Sequence, residues 1–185
     1  ANYKQGVYRL DDSMQWRQIF ARAGCHALAA RKDFQELYVG VDGEGIFKLT
    51  RQGDKWQSAL VAPKTAETGE TFFDMETGSE TGTIYIGTSK GVFALTATDK
   101  LEKRLALPDT MALEVHPRNE RIIYAGSPYQ GLVKSTDRGM TWRNVSGDLP
   151  GKAVMVLKIS PSETDTIYVA SRCSGIWKKA FSSNP

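Results

Sequence analysis

The chain has 185 residues, 24 basic and 21 acidic side chains, a formal net charge of +3, and 41% hydrophobic against 24% charged residues. That composition describes a globular chain long enough for one packed domain and excludes low-complexity or collagen-like polymers. Acids and bases are interspersed and no run of Lys or Arg exceeds a pair, so there is no electrostatic footprint for nucleic acid; no stretch is long and apolar enough to cross a membrane as a helix.

From the amino terminus, Gly6-Val7-Tyr8-Arg9 is the first of five glycine-led tetrads. Leu37-Tyr38-Val39-Gly40 then introduces a second kind of tetrad and is followed by Gly45-Ile46-Phe47-Lys48. The pair recurs as Ile84-Tyr85-Ile86-Gly87 with Gly91-Val92-Phe93-Ala94, as Ile123-Tyr124-Ala125-Gly126 with Gly131-Leu132-Val133-Lys134, and as Ile167-Tyr168-Val169-Ala170 with Gly175-Ile176-Trp177-Lys178. The glycines that open successive copies are about 40 to 45 residues apart, the length of one four-stranded propeller blade. The words are rich in Ile, Val, Tyr, Phe and Trp and are separated by Gly, Asp, Ser, Thr and Pro, which predicts short strands and tight turns rather than paired helices.

One unit reads as strands over Met111 to His116, Ile122 to Gly126, Gly131 to Ser135 and Thr141 to Val145. The last unit reads as three, over Ala153 to Ile159, Thr166 to Ala170 and Gly175 to Lys179. A lone four-stranded sheet cannot bury both faces, so the units are expected to pack face to face around an axis, with the Tyr of each copy between them. The prediction is all-β: a small β-propeller of four-stranded antiparallel blades occupying residues 1–185 as one domain. The glycine tetrads count five repeats, the first and last incomplete. A four-bladed ring is the alternative, with Trp16 to Phe20 serving as the outer strand of the last unit and Gly6 to Leu10 as a duplicate edge.

The phrase Ser135-Thr136-Asp137-Arg138-Gly139-Met140-Thr141-Trp142 resembles the Asp-box, or BNR repeat, of sialidases, xyloglucan-cleaving glycosidases, the sortilin ectodomain and photosystem II assembly factors. The motif fits in full once. At Arg9 to Trp16 only Asp11 and Trp16 match, at Leu49 to Trp56 only Gly53 and Trp56 match, and the segment Thr96 to Leu101 has lost it. The resemblance implies a structural fastener between third and fourth strands, on the side away from a ligand. Ser135, Asp137, Gly139, Thr141 and Trp142, with Asp11 and Trp16, are assigned to it. The physical reason is that a carboxylate can collect the amides of a tight turn, a glycine can take a shape other residues resist, and an indole can pack beneath.

Catalytic chemistry finds little support, and no catalytic residue is assigned. His26 and His116 stand alone, so no metal or other cofactor is expected and no His-dependent triad forms. The chain is too short for a six-bladed sialidase, and Arg22, Arg31, Arg104 and Arg172 are expected on solvated surface. A two-carboxylate glycosidase would draw on Asp42, Glu44, Asp74, Glu76, Asp109 or Glu114, whose separations the sequence does not give.

Binding has the stronger case. The links after the second strands vary while the strands stay alike, and they supply the candidate ligand contacts: Tyr3, Asp42, Glu44, Lys90, Tyr129, Gln130 and Arg172. An exposed Tyr offers a flat apolar face with a polar tip, suited to a sugar or a peptide. Packing of Tyr3 and Tyr129 on neighbouring units is the competing role. Cys25 and Cys173 fall in links that open on one face and would staple a closed ring as a disulfide; two free thiols are the equal alternative. The expectation is a secreted or periplasmic binding or assembly module for a protein or glycan partner. It binds no nucleic acid, has no membrane span, and exposes terminal strands that favour homo-oligomers. A glycoside hydrolase and a structural piece of a larger propeller are the other two readings. A start at Ala1-Asn2 fits a processed secreted chain and an excised piece equally.

Overall fold

The computed structural model describes residues 5–31, 34–160, 162 and 166–180, and within them every regular element is a strand. Hairpin β1 (Val7–Leu10) and β2 (Trp16–Phe20) comes first. Three four-stranded sheets follow: β3 (Cys25–Arg31), β4 (Glu36–Val41), β5 (Gly45–Gln52) and β6 (Lys55–Pro63); β7 (Phe72–Thr77), β8 (Ile84–Thr88), β9 (Gly91–Leu95) and β10 (Leu101–Leu105); β11 (Ala112–Val115), β12 (Ile123–Ser127), β13 (Gly131–Ser135) and β14 (Arg143–Asn144). A three-stranded sheet of β15 (Val154–Ile159), β16 (Thr166–Ser171) and β17 (Gly175–Ala180) ends the series. Each sheet is antiparallel with its strands in chain order, a propeller-like meander repeated five times.

Trp16–Phe20 pairs with Val7–Leu10 in a hairpin of its own rather than with the last sheet. Val7 and Phe20 pack with Val39, Phe47 and Leu49 of the second sheet, and the last sheet has three strands among the described residues. Cys25 and Cys173 are not bonded to each other. Cys25 is a buried thiol donating to the Arg22 carbonyl, and Cys173 is an exposed one.

The tyrosine tetrads explain the stacking. In each second strand the Tyr lies opposite a first-strand and a third-strand residue, as Tyr38 does with Ala29 and Lys48, so its ring leaves the sheet on one face. That face meets the next sheet. Tyr38, Ala27 and Ile46 pack on Phe72, Met75, Ile84 and Phe93. Tyr85 and Val92 pack on Leu113, Ile123 and Val133, and Tyr124 and Leu132 on Leu157, Ile167 and Val169. Burying a side chain of this size contributes about 2 kcal/mol, so each interface is driven chiefly by its apolar residues.

The glycine that closes the second-strand tetrad sets the spacing between sheets: a Cβ on Gly126 would stand 2.2 Å from Val154 Cγ1 of the next sheet. The glycine that opens the third strand has a different reason. At Gly91, φ is +131° and a Cβ would lie 2.0 Å from the Leu105 carbonyl oxygen of the fourth strand, so a side chain fits neither the backbone shape nor the space.

The first strands β3, β7, β11 and β15 are the ones that approach each other from sheet to sheet, and they form the inner rim of the stack. At the end where first and second strands turn, polar bolts cross between sheets. Arg31, expected on the surface, is buried there: its guanidinium donates to the carbonyls of Leu95 (2.8 Å) and Thr96 (2.9 Å) and to Tyr38 Oη (2.7 Å), and pairs with Asp99. Glu120, also buried, accepts the amides of Glu80 and Thr81, both at 2.8 Å.

The turns from third to fourth strand open at that same end. Asp137 Oδ1 accepts the Thr141 amide (2.8 Å) and the Ser135 hydroxyl (2.8 Å), while Oδ2 accepts the Thr141 hydroxyl (2.6 Å). Ser135 Oγ in turn accepts the Gly139 amide, and the Trp142 indole donates to the Gly139 carbonyl. Asp11 does the same work in the first hairpin, accepting the amides of Ser13 and Gln15 through Oδ1. Trp16 differs from Trp142, which is partly buried against the third-to-fourth sheet core: it is 69% exposed.

Candidate functional site

Two groups of residues stand out, one on the rim of the second-strand turns and one on the inner first strands. The rim turns span 42–44, 89–90, 128–130 and 172–174, all at the end opposite Asp137. Three of them have backbones tied to the links that enter the first strands, and at 128–130 the tie runs through Ser127 Oγ, which donates to the Pro108 carbonyl. Asp42 and Gly43 donate their amides to the carbonyls of Gly24 and Glu70, Ser89 to Thr71, and Arg172 to Ala153. These turns therefore present side chains from a fixed frame.

Asp42 is pinned itself: Oδ1 accepts the Phe72 amide at 3.1 Å, and Oδ2 lies 3.3 Å from His26 Nδ1. Glu44 pairs with Arg22, whose guanidinium stacks on Phe47. Lys90, Gln130 and Arg172 are exposed, and Tyr129 is 73% exposed on a turn whose Tyr129 amide donates to Ser127 Oγ. The rim thus runs from an acidic side at Asp42, Glu44 and Glu70 to a basic side at Lys90 and Arg172. Tyr3 lies outside the described residues.

The inner strands gather three of the six carboxylates the sequence offers, Asp74, Glu76 and Glu114, around Lys158, which no sequence pattern had singled out. Lys158 Nζ donates to Glu114 Oε2 at 2.5 Å and to Glu76 Oε1 at 3.0 Å. Glu114 Oε1 accepts the Ile159 amide at 3.2 Å, and Asp74 accepts the amides of Leu113 (2.8 Å) and Met75 (2.9 Å). Asp74 and Glu114 therefore each stitch their first strand to the next, and Glu76 reaches from β7 past β11 to Lys158 on β15.

Burial raises the Asp74 and Glu114 carboxyls above the usual range, and the Glu76 charge adds to both, while amide donors and Lys158 oppose the rise. Burial alone would lower Lys158, but the hydrogen bonds and charges of Glu114 and Glu76 outweigh it and hold the ammonium well above the ordinary lysine value. A repeat alignment carries the signal for this cluster. Ala29, Glu76, Glu114 and Lys158 occupy one register position, each opposite the Tyr of its second strand. Two acids followed by a lysine at a repeated inner position predict an ion pair among the inner strands.

Among the described residues, cavities open elsewhere. One of about 520 Å³ is walled by Arg31, Glu36, Lys48, Glu80 and Thr81 at the end opposite the rim. One of about 300 Å³ lies against Leu28, Ala30, Phe34 and Leu37 beside the first hairpin. No cluster of His, Cys, Asp and Glu suited to a metal occurs among the described residues.

No family model matches this sequence, and no curated protein matches it. Solved structures do resemble its fold. A GH74 enzyme of Niastella koreensis is 16% identical with a TM-score of 0.73, over 100% of this chain and 34% of that one. The extracellular domain of a putative hybrid two component system from B. thetaiotaomicron is 13% identical with a TM-score of 0.70, over 100% of this chain and 23% of that one. An auxiliary nutrient binding protein from Bacteroides thetaiotaomicron is 12% identical with a TM-score of 0.68, over 86% and 39%. The chain spans well under half the length of each of these structures. Likeness at such identity concerns the fold alone, and the class it defines is a propeller-like stack of antiparallel sheets with no helix among the described residues.

Proposed function

We propose that this chain is a non-catalytic recognition module of the Asp-box propeller kind, secreted or periplasmic, that takes a protein or glycan on the rim of its second-strand turns. The observation that carries this is the contrast between strands and turns. The second strands repeat one packing role, whereas the turns that follow them hold different side chains on a backbone pinned by hydrogen bonds. Tyr129, 73% exposed on such a turn, is the natural anchor. The extracellular domain and the nutrient binding protein that share the fold support the setting and the binding role.

The test is a glycan array and an immobilised-peptide array probed with the full chain, followed by titration of any hit against Tyr129→Ala and Arg172→Ala. Binding reduced at least tenfold by Tyr129→Ala, with an unchanged melting temperature, supports the rim. Binding indifferent to both substitutions refutes it.

A glycoside hydrolase is the second reading, favoured by the approach of Glu76 to Glu114 and by the raised Glu114 carboxyl. Against it, an ammonium occupies the space between the two, and both acids are spent on it and on a backbone amide. Release of reducing ends from a panel of β-glucans including xyloglucan, abolished by Glu114→Gln, would establish hydrolysis and displace the binding reading.

A further inference from the structure

The tryptophan that ends the Asp-box phrase is held in two different ways in this chain. In the complete copy the Trp142 indole lies beneath its own turn: its N–H donates to the Gly139 carbonyl at 3.0 Å, and a Cβ on Gly139 would stand 3.3 Å from Trp142 Cζ2. Gly53 and Trp56 hold the same two places where β5 turns into β6, with the same spacing in sequence. There the indole is not beneath the turn. A Cβ on Gly53 would meet nothing within 4 Å, and the Gly53 carbonyl accepts Arg51 Nε at 2.9 Å in place of an indole. The Trp56 N–H has no hydrogen-bond partner among the described residues.

The released indole lines a cleft of about 670 Å³ between the first hairpin and the β3–β6 sheet, which meet through β2 and β6. Arg9, Asp12, Asp54 and Lys55 also wall it. The cleft lies beside the turns from third to fourth strand, at the Asp137 end of the stack and away from the rim. Arg17 and Asp11 neutralise each other in its wall, whereas Arg9, Asp12, Asp54 and Lys55 form no ion pair among the described residues. Two positive and two negative groups are thus left to face a ligand, a balance that favours neither an anion nor a cation. It suits a neutral molecule dense in hydroxyls, which accept from Arg9, Lys55 and the indole and donate to Asp12 and Asp54. A sugar ring also presents an apolar C–H face, which stacks on an indole while the N–H at the ring edge bonds a hydroxyl. A cleft of this volume is within the range that small ligands fill.

We propose that this cleft is a second binding site, for a neutral glycan, with the Trp56 indole as its stacking platform. The repeat shows why it is here. Where the indole fastens its own turn, as at Trp142, its N–H is spent and its face is partly buried against the neighbouring core. Where Arg51 holds the turn carbonyl instead, the indole keeps its packing on the first hairpin through one part and offers the rest to the cleft. The cleft shares no residue with the rim at Tyr129 and Arg172, so the two sites are occupied or lost independently.

The test follows the indole N–H resonances of the full chain, labelled with nitrogen-15 and assigned by single Trp→Phe substitutions, while cellotetraose, xylotetraose or mannotetraose is added to about 10 mM. At least one of these sugars should move the Trp56 resonance and leave that of Trp142, fastened beneath its turn, in place. Calorimetry should then show affinity at least tenfold weaker in Trp56→Ala and in Asp54→Ala, and unchanged in Tyr129→Ala. Asp54 is exposed on a turn, so its variant folds even where Trp56→Ala, which loses packing on the first hairpin, does not. A Trp56 resonance that none of the three sugars moves overturns the proposal. So does binding lost in Tyr129→Ala and kept in both cleft variants, which leaves the rim as the glycan site. Movement of Trp56 by tetragalacturonate or an oligopeptide alone overturns it as well, since the occupant is then charged or a peptide.

Discussion

Asp137 ties part of the stability of this fold to pH. Hydrogen bonds from the Thr141 hydroxyl and amide, then from Ser135, lower its carboxyl from 3.8 to about 2. A pKa depressed by folding contributes stability that is full above the unfolded value and is lost as pH falls through the folded one, here from about 4 to about 2. Urea midpoints measured across that window should fall for the wild type, and Asp137→Asn should start lower and change little. Glu114 has the opposite sign. Burial foremost, then the Glu76 charge, raises its carboxyl, so its ionised form at neutral pH costs stability that returns as pH falls towards the usual glutamate value. Lys158 limits that cost. Lys158→Met should destabilise by about 1–2 kcal/mol at pH 8, between the limits for exposed and buried pairs, and by visibly less at a pH low enough for Glu114 to be protonated. Equal losses at the two pH values would show that the lysine acts by packing its stem and not by its charge.

Among the elements, the third strands show what the repeated glycine does. Gly91 sits at φ +131° with the Leu105 carbonyl where a Cβ would go, whereas Gly175 sits at φ +78° with nothing within 4 Å. Gly91→Ala should therefore cost more than about 3 kcal/mol, and Gly175→Ala only the backbone strain of about 1–2 kcal/mol, as chemical denaturation of the two variants will show. The difference is the fourth strand, which among the described residues lies beside β9 and not beside β17. The strands were legible in the sequence because their apolar words recur with fixed punctuation, and the strand expected over Gly131 to Ser135 is observed with those limits as β13. The strand expected over Thr141 to Val145 is shorter. The Thr141 amide is taken by Asp137, and the Val145 amide reaches Leu132 outside the ladder, which leaves Arg143–Asn144. The Glu76–Lys158–Glu114 cluster and the burial of Arg31 were not legible, because both depend on which sheets become neighbours. An arginine reads as surface until the carbonyls of Leu95 and Thr96, more than sixty residues away, are placed over it.

At the scale of the molecule, each sheet leans on its neighbours in the stack, so stability is a sum of intrinsic sheet terms and junction terms. The junctions are unequal in number. The sheets of β8 and β12 are flanked on both faces and those strands are buried throughout, while β17 is almost wholly exposed and its sheet packs on one face. Opening free energies should grade accordingly. In hydrogen exchange at low micromolar concentration, amides of β16 and β17 should exchange well before those of β8 and β12. Leu113→Ala, at a side chain buried in the junction between the β7–β10 sheet and the β11–β14 sheet, deletes apolar contact worth about 3 kcal/mol there. A stack governed by its junctions will answer unevenly. Protection should drop most from β11 to β17, which lose their anchor to the larger part of the chain, and least in β3 to β6, which keep the Tyr38 junction with Met75 and Phe93. A uniform loss over all seventeen strands would instead mean that the bolts at Arg31, Glu120 and Lys158 couple the sheets so tightly that the chain opens as one unit, with no weak end for a partner to act upon.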